Sequence, residues 1–140
     1  GKLGAVVWGS ASRNGFLAKS FAIARRRLHI PSPGPDDPDP FKLGENSAFQ
    51  SALENAGFRG VRIESVEALA AFASTHEALL FQQEAVGELV RLLAAASDLE
   101  RSDAWEEIEA ALHAFENNKG FIGPGVLLVG SGLKNGEDLS

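Results

Sequence analysis

Val126-Leu-Leu-Val129, bracketed by Gly125 and Gly130, is the densest β-favouring apolar run in the chain. An apolar run that short, with no polar alternation, reads as a strand covered on both faces, so residues 126–133 are assigned to the middle of a sheet. Two other stretches supply its neighbours. Leu3-Gly-Ala-Val-Val-Trp8 is also continuous and apolar, whereas Val61-Arg-Ile-Glu-Ser-Val66 alternates apolar with polar, as a half-exposed edge strand does. The strand order 3–8, 126–133, 61–66 follows.

The length of 140 residues suits one domain, and residues 1–140 are read as a single unit with one core. Hydrophobic content of 44% with 23% charged residues is that of an ordinary globular protein, and no apolar run approaches the ~18 residues of a membrane span. Neither a transmembrane helix nor a signal peptide is read, and a cytoplasmic setting is the default. The chain has no cysteine, which removes disulfides, thiolate nucleophiles and Cys-ligated zinc together. A net charge of −6 argues against a nucleic-acid backbone as partner, because such binding needs a basic surface.

Four helices are predicted around the sheet, making an α/β fold. Gly9-Ser-Ala-Ser-Arg-Asn-Gly15 leads into the first, over 16–28, with Leu17, Phe21, Ala24 and Leu28 on one face packed on the sheet. Arg25-Arg26-Arg27 is the one basic cluster; it reads as last-turn cations meeting the helix dipole or as an anion site. Residues 30–40 hold five of the six prolines, so neither helix nor ladder runs through them. That segment is a surface loop, either a linker or a lid. The second helix, 48–56, has Asn46 or Ser47 as its cap, Gly57 as its left-handed end and Phe49, Leu53 and Ala56 as its buried stripe. Ser74 and Glu77 make a capping box for a third helix running to about Ala96. A box-like start at Asp103 and Glu106 opens the fourth, to about Glu116, with Trp105, Ile108, Leu112 and Phe115 apolar. These last two are expected to pair as a helical hairpin over 75–116, and residues 137–140 as a frayed end.

Few residues promise chemistry. His29, His76 and His113 lie far apart, without the i, i+4 spacing of a ligand pair, and no metal site is read. Asp36, Asp37 and Asp39 sit in the proline loop; Glu106, Glu107 and Glu109 lie largely on a solvated helix face. Ser10 and Ser12 have no adjacent base, and Gly130 and Gly132 are not followed by the helix that a dinucleotide cradle requires.

The arrangement of Gly1-Lys-Leu-Gly-Ala-Val-Val-Trp-Gly9 with Arg13-Asn-Gly-Phe16, then the proline loop, Phe41-Lys-Leu-Gly44, Leu53-Glu-Asn-Ala-Gly-Phe58 and Val61-Arg-Ile-Glu64 resembles a known pattern. It is similar to the C-terminal half of class I S-adenosylmethionine-dependent methyltransferases, nearest the ubiquinone/menaquinone-biosynthesis type. The resemblance implies a partial Rossmann-like fold from a sheet of order 3-2-1-4-5-7-6, whose last strand is antiparallel and inserted between the fifth and sixth. Residues 3–8 would be strand five, 61–66 strand six and 126–133 strand seven, with 75–116 an insertion shaping the acceptor side. The family's glycine-rich cofactor loop and the acidic residue after its second strand belong to the N-terminal half, so S-adenosylmethionine is implied as cofactor while its binding motif is absent from this chain.

The resemblance implies the substrate-side half of a methyltransferase acting on a small molecule, inactive by itself. A missing N-terminal half, or another chain, would pair at the 3–8 edge. The alternative is a non-catalytic interaction module that keeps the half-fold and forms a homo-oligomer through that edge. Acceptor-lining residues are expected at the carboxyl end of strand 3–8, where open α/β sheets place ligands: Trp8, Ser10, Arg13 and Asn14. The competing reading makes Trp8 core and Arg13-Asn14-Gly15 a turn into the helix.

Overall fold

A computed structural model of the chain describes residues 2–31, 33–34 and 39–134. Asp36, Asp37 and the end segment 137–140 therefore lie outside the described residues. The described residues within 1–14, 38–68 and 125–140 cluster as one compact unit, and those within 15–37 and 69–124 as another.

The first unit is a three-stranded sheet with one helix. Its strands are β1 (Lys2–Trp8), β2 (Phe58–Glu67) and a long C-terminal strand, Val126–Lys134, that lies between them in the order expected from the apolar patterns. That central strand runs antiparallel to both neighbours, pairing Val6 with Val129 on one side and Glu64 with Val129 on the other. It follows that β1 and β2 are parallel to each other and end at the same side of the sheet.

The covering of the central strand differs from expectation. Leu128, Gly130 and Gly132 are buried while Val129 and Ser131 are exposed, so one face is covered and the other is not. The covered face meets helix α2 (Asn46–Asn55): Phe49 and Leu53 of that helix and Leu128 form the buried centre, and Leu3, Ala5, Val7, Leu43, Val61 and Ile63 pack around it. Phe49, Leu53 and Leu128, the buried three, contribute roughly 1.5–3 kcal/mol each by leaving water. Gly130 permits the approach, since a Cβ there would stand 2.8 Å from the Phe49 ring. Alternation therefore governs this strand although its side chains hide it, because glycine faces the helix where a bulky residue was expected.

Helix α2 starts two residues earlier than expected, with Glu45 rather than Asn46 or Ser47 in the cap position and no side-chain bond made there. Its end is as expected: Gly57 adopts φ +98°, a conformation costly for any residue with a Cβ. Lys134 reaches back to donate to the Ala56 carbonyl at 3.0 Å, near the carbonyl-rich end of the helix. Ala56, expected inside, is exposed.

The second unit holds four helices and a small sheet, giving five helices in the described chain where four were expected. These are α1 (Gly15–Arg27), α3 (Thr75–Ala85), α4 (Gly87–Ala94) and α5 (Asp98–Leu112). Helix α1 packs on α5 and α4, with Phe16, Phe21 and Ala24 buried. The single helix predicted from Ser74 to Ala96 is broken where Val86 takes φ −92°, ψ 78°, so α3 ends at Ala85 and α4 begins at Gly87. The start of α5 is also corrected. Ser97, not Asp103, is its cap, and the Ser97 hydroxyl oxygen accepts from Glu100 N–H at 3.2 Å.

Three short strands complete this unit: β3 (Ala70–Phe72), β4 (Glu116–Asn117) and β5 (Gly120–Gly123), paired antiparallel in the order β3-β5-β4. The C-terminal strand is β6. Phe16, Phe72, Phe81, Phe115 and Phe121 form one aromatic cluster, with Phe121 at 5.7 Å from Phe16 and 6.0 Å from Phe115, both edge-on. A buried polar pair crosses the helices: Ser20 Oγ donates to Gln82 Oε1 at 2.6 Å, and Gln82 Nε2 donates to the Phe16 carbonyl at 2.8 Å. Both side chains are fully buried and both are satisfied, as interiors require.

Candidate functional site

The parallel run of β1 and β2 brings Trp8, Val66 and the entry of β6 to one end of the sheet, where both Trp8 and Val66 pair with Leu127. Trp8 shares the face of Val6 and Val129, the one not covered by α2, and is half-buried. Beyond it the backbone is closely tied. Gly9 N–H donates to the Val126 carbonyl at 2.7 Å, and Ala68 N–H donates to the Gly125 carbonyl at 2.9 Å.

Asn14 is the centre of that knot and is 1% exposed. Its Nδ2 donates to the Ser10 carbonyl at 3.0 Å and to the Val126 carbonyl at 3.1 Å, while its Oδ1 accepts from Val126 N–H at 3.0 Å. Both amide hydrogens and the carbonyl are thus engaged with backbone, so Asn14 positions the loop. The segment after Pro40 closes from the other side. A Cβ on Gly44 would lie 2.5 Å from the Ser10 nitrogen, so two stretches of main chain touch here and only glycine fits.

Ser10, Ser12 and Arg13 are left at the surface of this knot. Ser10 Oγ and Ser12 Oγ stand 3.2 Å apart in a single turn of 3-10 helix, Ala11–Arg13, and Arg13 is exposed. The arrangement offers an indole, two hydroxyls and one guanidinium beside rigid backbone. Residues 9–14 contain no carboxylate to receive the ammonium or ribose hydroxyls of S-adenosylmethionine; the carboxylate at this end of the sheet is that of Glu67, exposed and paired in the ladder with Val126. Residues 9–14 by themselves do not fit that cofactor.

A second polar cluster, which spacing alone did not reveal, lies in the helical unit. Ser74, Thr75, His76, Glu106, Glu109, Ala110, His113 and Glu116 line an open cavity of about 580 Å³. His76 Nδ1 lies 3.7 Å from Glu109 Oε2, and His113 Nδ1 lies 3.1 Å from the Thr75 hydroxyl and 3.9 Å from Glu116 Oε2. Thr75 N–H donates to Glu116 Oε1 at 2.5 Å. That backbone bond, with the Thr75 hydroxyl, holds the Glu116 carboxyl below the usual glutamate range; His113 adds to the effect and desolvation opposes it. The two histidines sit 37 positions apart, and only the return of α5 towards the start of α3 puts them on one wall. Among the described residues, no group of three or more potential ligands is placed to hold a metal ion.

The remaining charged clusters find structural partners. Arg26 and Arg27 both reach Glu107 of α5, the latter from Nε at 2.7 Å, and Arg25 donates to the Pro31 carbonyl at 3.4 Å. Among the described residues no helix is long and apolar enough to cross a membrane. No protein-family model matches the chain, and no curated protein matches it at a significant level.

Proposed function

We propose that the chain is the acceptor-side half of an S-adenosylmethionine-dependent methyltransferase acting on a small molecule, and that a partner supplies the cofactor half. The observation that carries this reading is the C-terminal strand, which runs backwards between two mutually parallel strands. A sheet of that order is what the resemblance leads one to expect for strands five, seven and six. Two further features support it. The outer edge of β1 has no ladder partner among the described residues, and Val6, Val66 and Val129 stand 59%, 44% and 36% exposed on the uncovered face. A missing half with a strand for that edge and a helix for that face would cover both.

Methyl transfer draws much of its rate from holding the acceptor in line in a dry site. In this reading Trp8 gives the acceptor a flat apolar wall, while Ser10 and Arg13 hold its oxygen functions. Asn14 and Gly44 fix the loop from which Ser10 and Arg13 project. The cofactor's own contacts are assigned to the partner.

Calorimetric titration of S-adenosylmethionine into this chain is expected to give no saturable heat. A separate chain carrying the first four strands of a class I methyltransferase, mixed with it, is expected to form a one-to-one complex that binds the cofactor. Saturable binding by this chain alone, or a mixture that neither associates nor binds, overturns the assignment.

A further inference from the structure

The two edges of the first unit's sheet are built differently. β2 carries Arg59, Arg62, Glu64 and Glu67 exposed along its length and has a bulge between Arg59 and Arg62, which are features that keep an edge from recruiting another strand. β1 has only one such charge, at its very start. It is seven residues of regular ladder with one formal charge, Lys2, no proline and no bulge, and β6 is its only strand partner among the described residues.

We propose that β1 pairs with β1 of a second copy of this chain, antiparallel about a two-fold axis at Ala5, joining the two sheets into one of six strands. The inference is independent of the methyl-transfer reading. It stands on the self-complementarity of the edge. Antiparallel pairing centred on Ala5 sets Lys2 opposite Trp8, Leu3 opposite Val7 and Gly4 opposite Val6, so all seven residues of the strand are matched. The one cation of the edge then lies across from an aromatic ring, a favourable pairing. Parallel pairing in register would instead set Lys2 beside Lys2, a like-charge contact. Moving the centre to Gly4 or Val6 leaves two residues of each strand unmatched.

Faces are also respected. Leu3, Ala5 and Val7 lie on the α2 side and extend its core across the axis, whereas Gly4 and Val6 lie on the uncovered side. There the 59% exposed Val6 finds its partner over Gly4, where a Cβ would meet nothing within 4 Å. The contact is isologous and closes at two copies. A cofactor half and a second copy would be alternative occupants of this edge, since a strand has only one free side.

Light scattering on the purified chain is expected to give twice the 14.8 kDa of one copy. Val6→Lys places a cation diagonal to Lys2 and to its own symmetry mate, and is expected to weaken self-association about tenfold or more. Because Val6 is outside the core, its far-ultraviolet dichroism and melting profile should otherwise stay native. Register is read by cross-linking, which is clean in a chain without cysteine. Gly4→Cys and Val6→Cys variants, mixed and oxidised, should form a disulfide with each other, and neither should cross-link efficiently with itself. A monomer at tens of micromolar overturns the proposal, as does self-cross-linking of either single variant in preference to the mixture. A monomeric result leaves the methyl-transfer reading standing, and a failed cofactor test leaves the dimer standing.

Discussion

Glu116 shows how one side chain can be held by a main-chain donor. Its carboxylate accepts from Thr75 N–H at the opening of α3, and its pKa is lowered in consequence. A carboxyl with a lowered folded-state pKa contributes stability that is fully present above its unfolded value and is lost as pH falls through the lowered one. Glu116→Gln should therefore melt below the native chain at neutral pH, with the gap closing as the solution is acidified through and below the ordinary glutamate range. Melting curves across that range check it; a gap that widens on acidification contradicts the assignment. Glycine spacing makes a second comparison. Gly44→Ala drives a Cβ into the Ser10 main chain, which has nowhere to go, whereas Gly130→Ala meets the movable ends of Phe49 and Leu53. Denaturant titration should show a loss of about 2–4 kcal/mol for the first and a smaller one, about 1–3 kcal/mol, for the second. Neither constraint could be read from spacing in the chain, because each is set by a segment distant in sequence. Asn14 was legible as a residue of interest but not in its role, since Val126 lies 112 positions away.

Helices were legible where a stripe and a cap coincided, and misplaced where they did not. Ser74 and Glu77 mark a true start: Glu77 N–H donates to the Ser74 hydroxyl oxygen, and the Glu77 carboxylate reaches back to Ala73 N–H. Ser97 and Glu100 carry the same signature, yet the six residues after Ser97 are mostly charged, and the apolar stripe of Trp105, Ile108 and Leu112 begins only a turn later. Asp103 and Glu106 stand directly before that stripe with a box-like spacing of their own, and so draw the start there. The cap assignment is testable: Ser97→Ala should cost about 1 kcal/mol in thermal melts, and Asp103→Ala should fall within about 0.5 kcal/mol of native. The break at Val86 had no proline to announce it, and Gly87 directly after it is the only local sign. Arg26 and Arg27 looked like cations serving their own helix end, but they hold Glu107 across a helix contact.

At the level of the molecule, the order of the main sheet could be read because its strands differ in kind: one central and apolar, one alternating, one short with Lys2 as its single charge. The second sheet could not. Strands of two to four residues carry no usable period, and they pair through Phe72, Phe121 and Glu116, residues that a helix or a loop could equally hold. The two compact units were likewise hidden, because the chain passes from one to the other four times, at residues 14–15, between residues 34 and 39, and at 68–69 and 124–125. The pairing of Lys2 with Leu133 and Trp8 with Leu127 sets the order of events on the ribosome. Strand β1 leaves the ribosome well before β6, and at roughly 5–20 residues per second it waits about 6–24 s for that partner. Through that interval the side that β6 will cover is bare, so the nascent strand depends on chaperone shielding until its partner emerges.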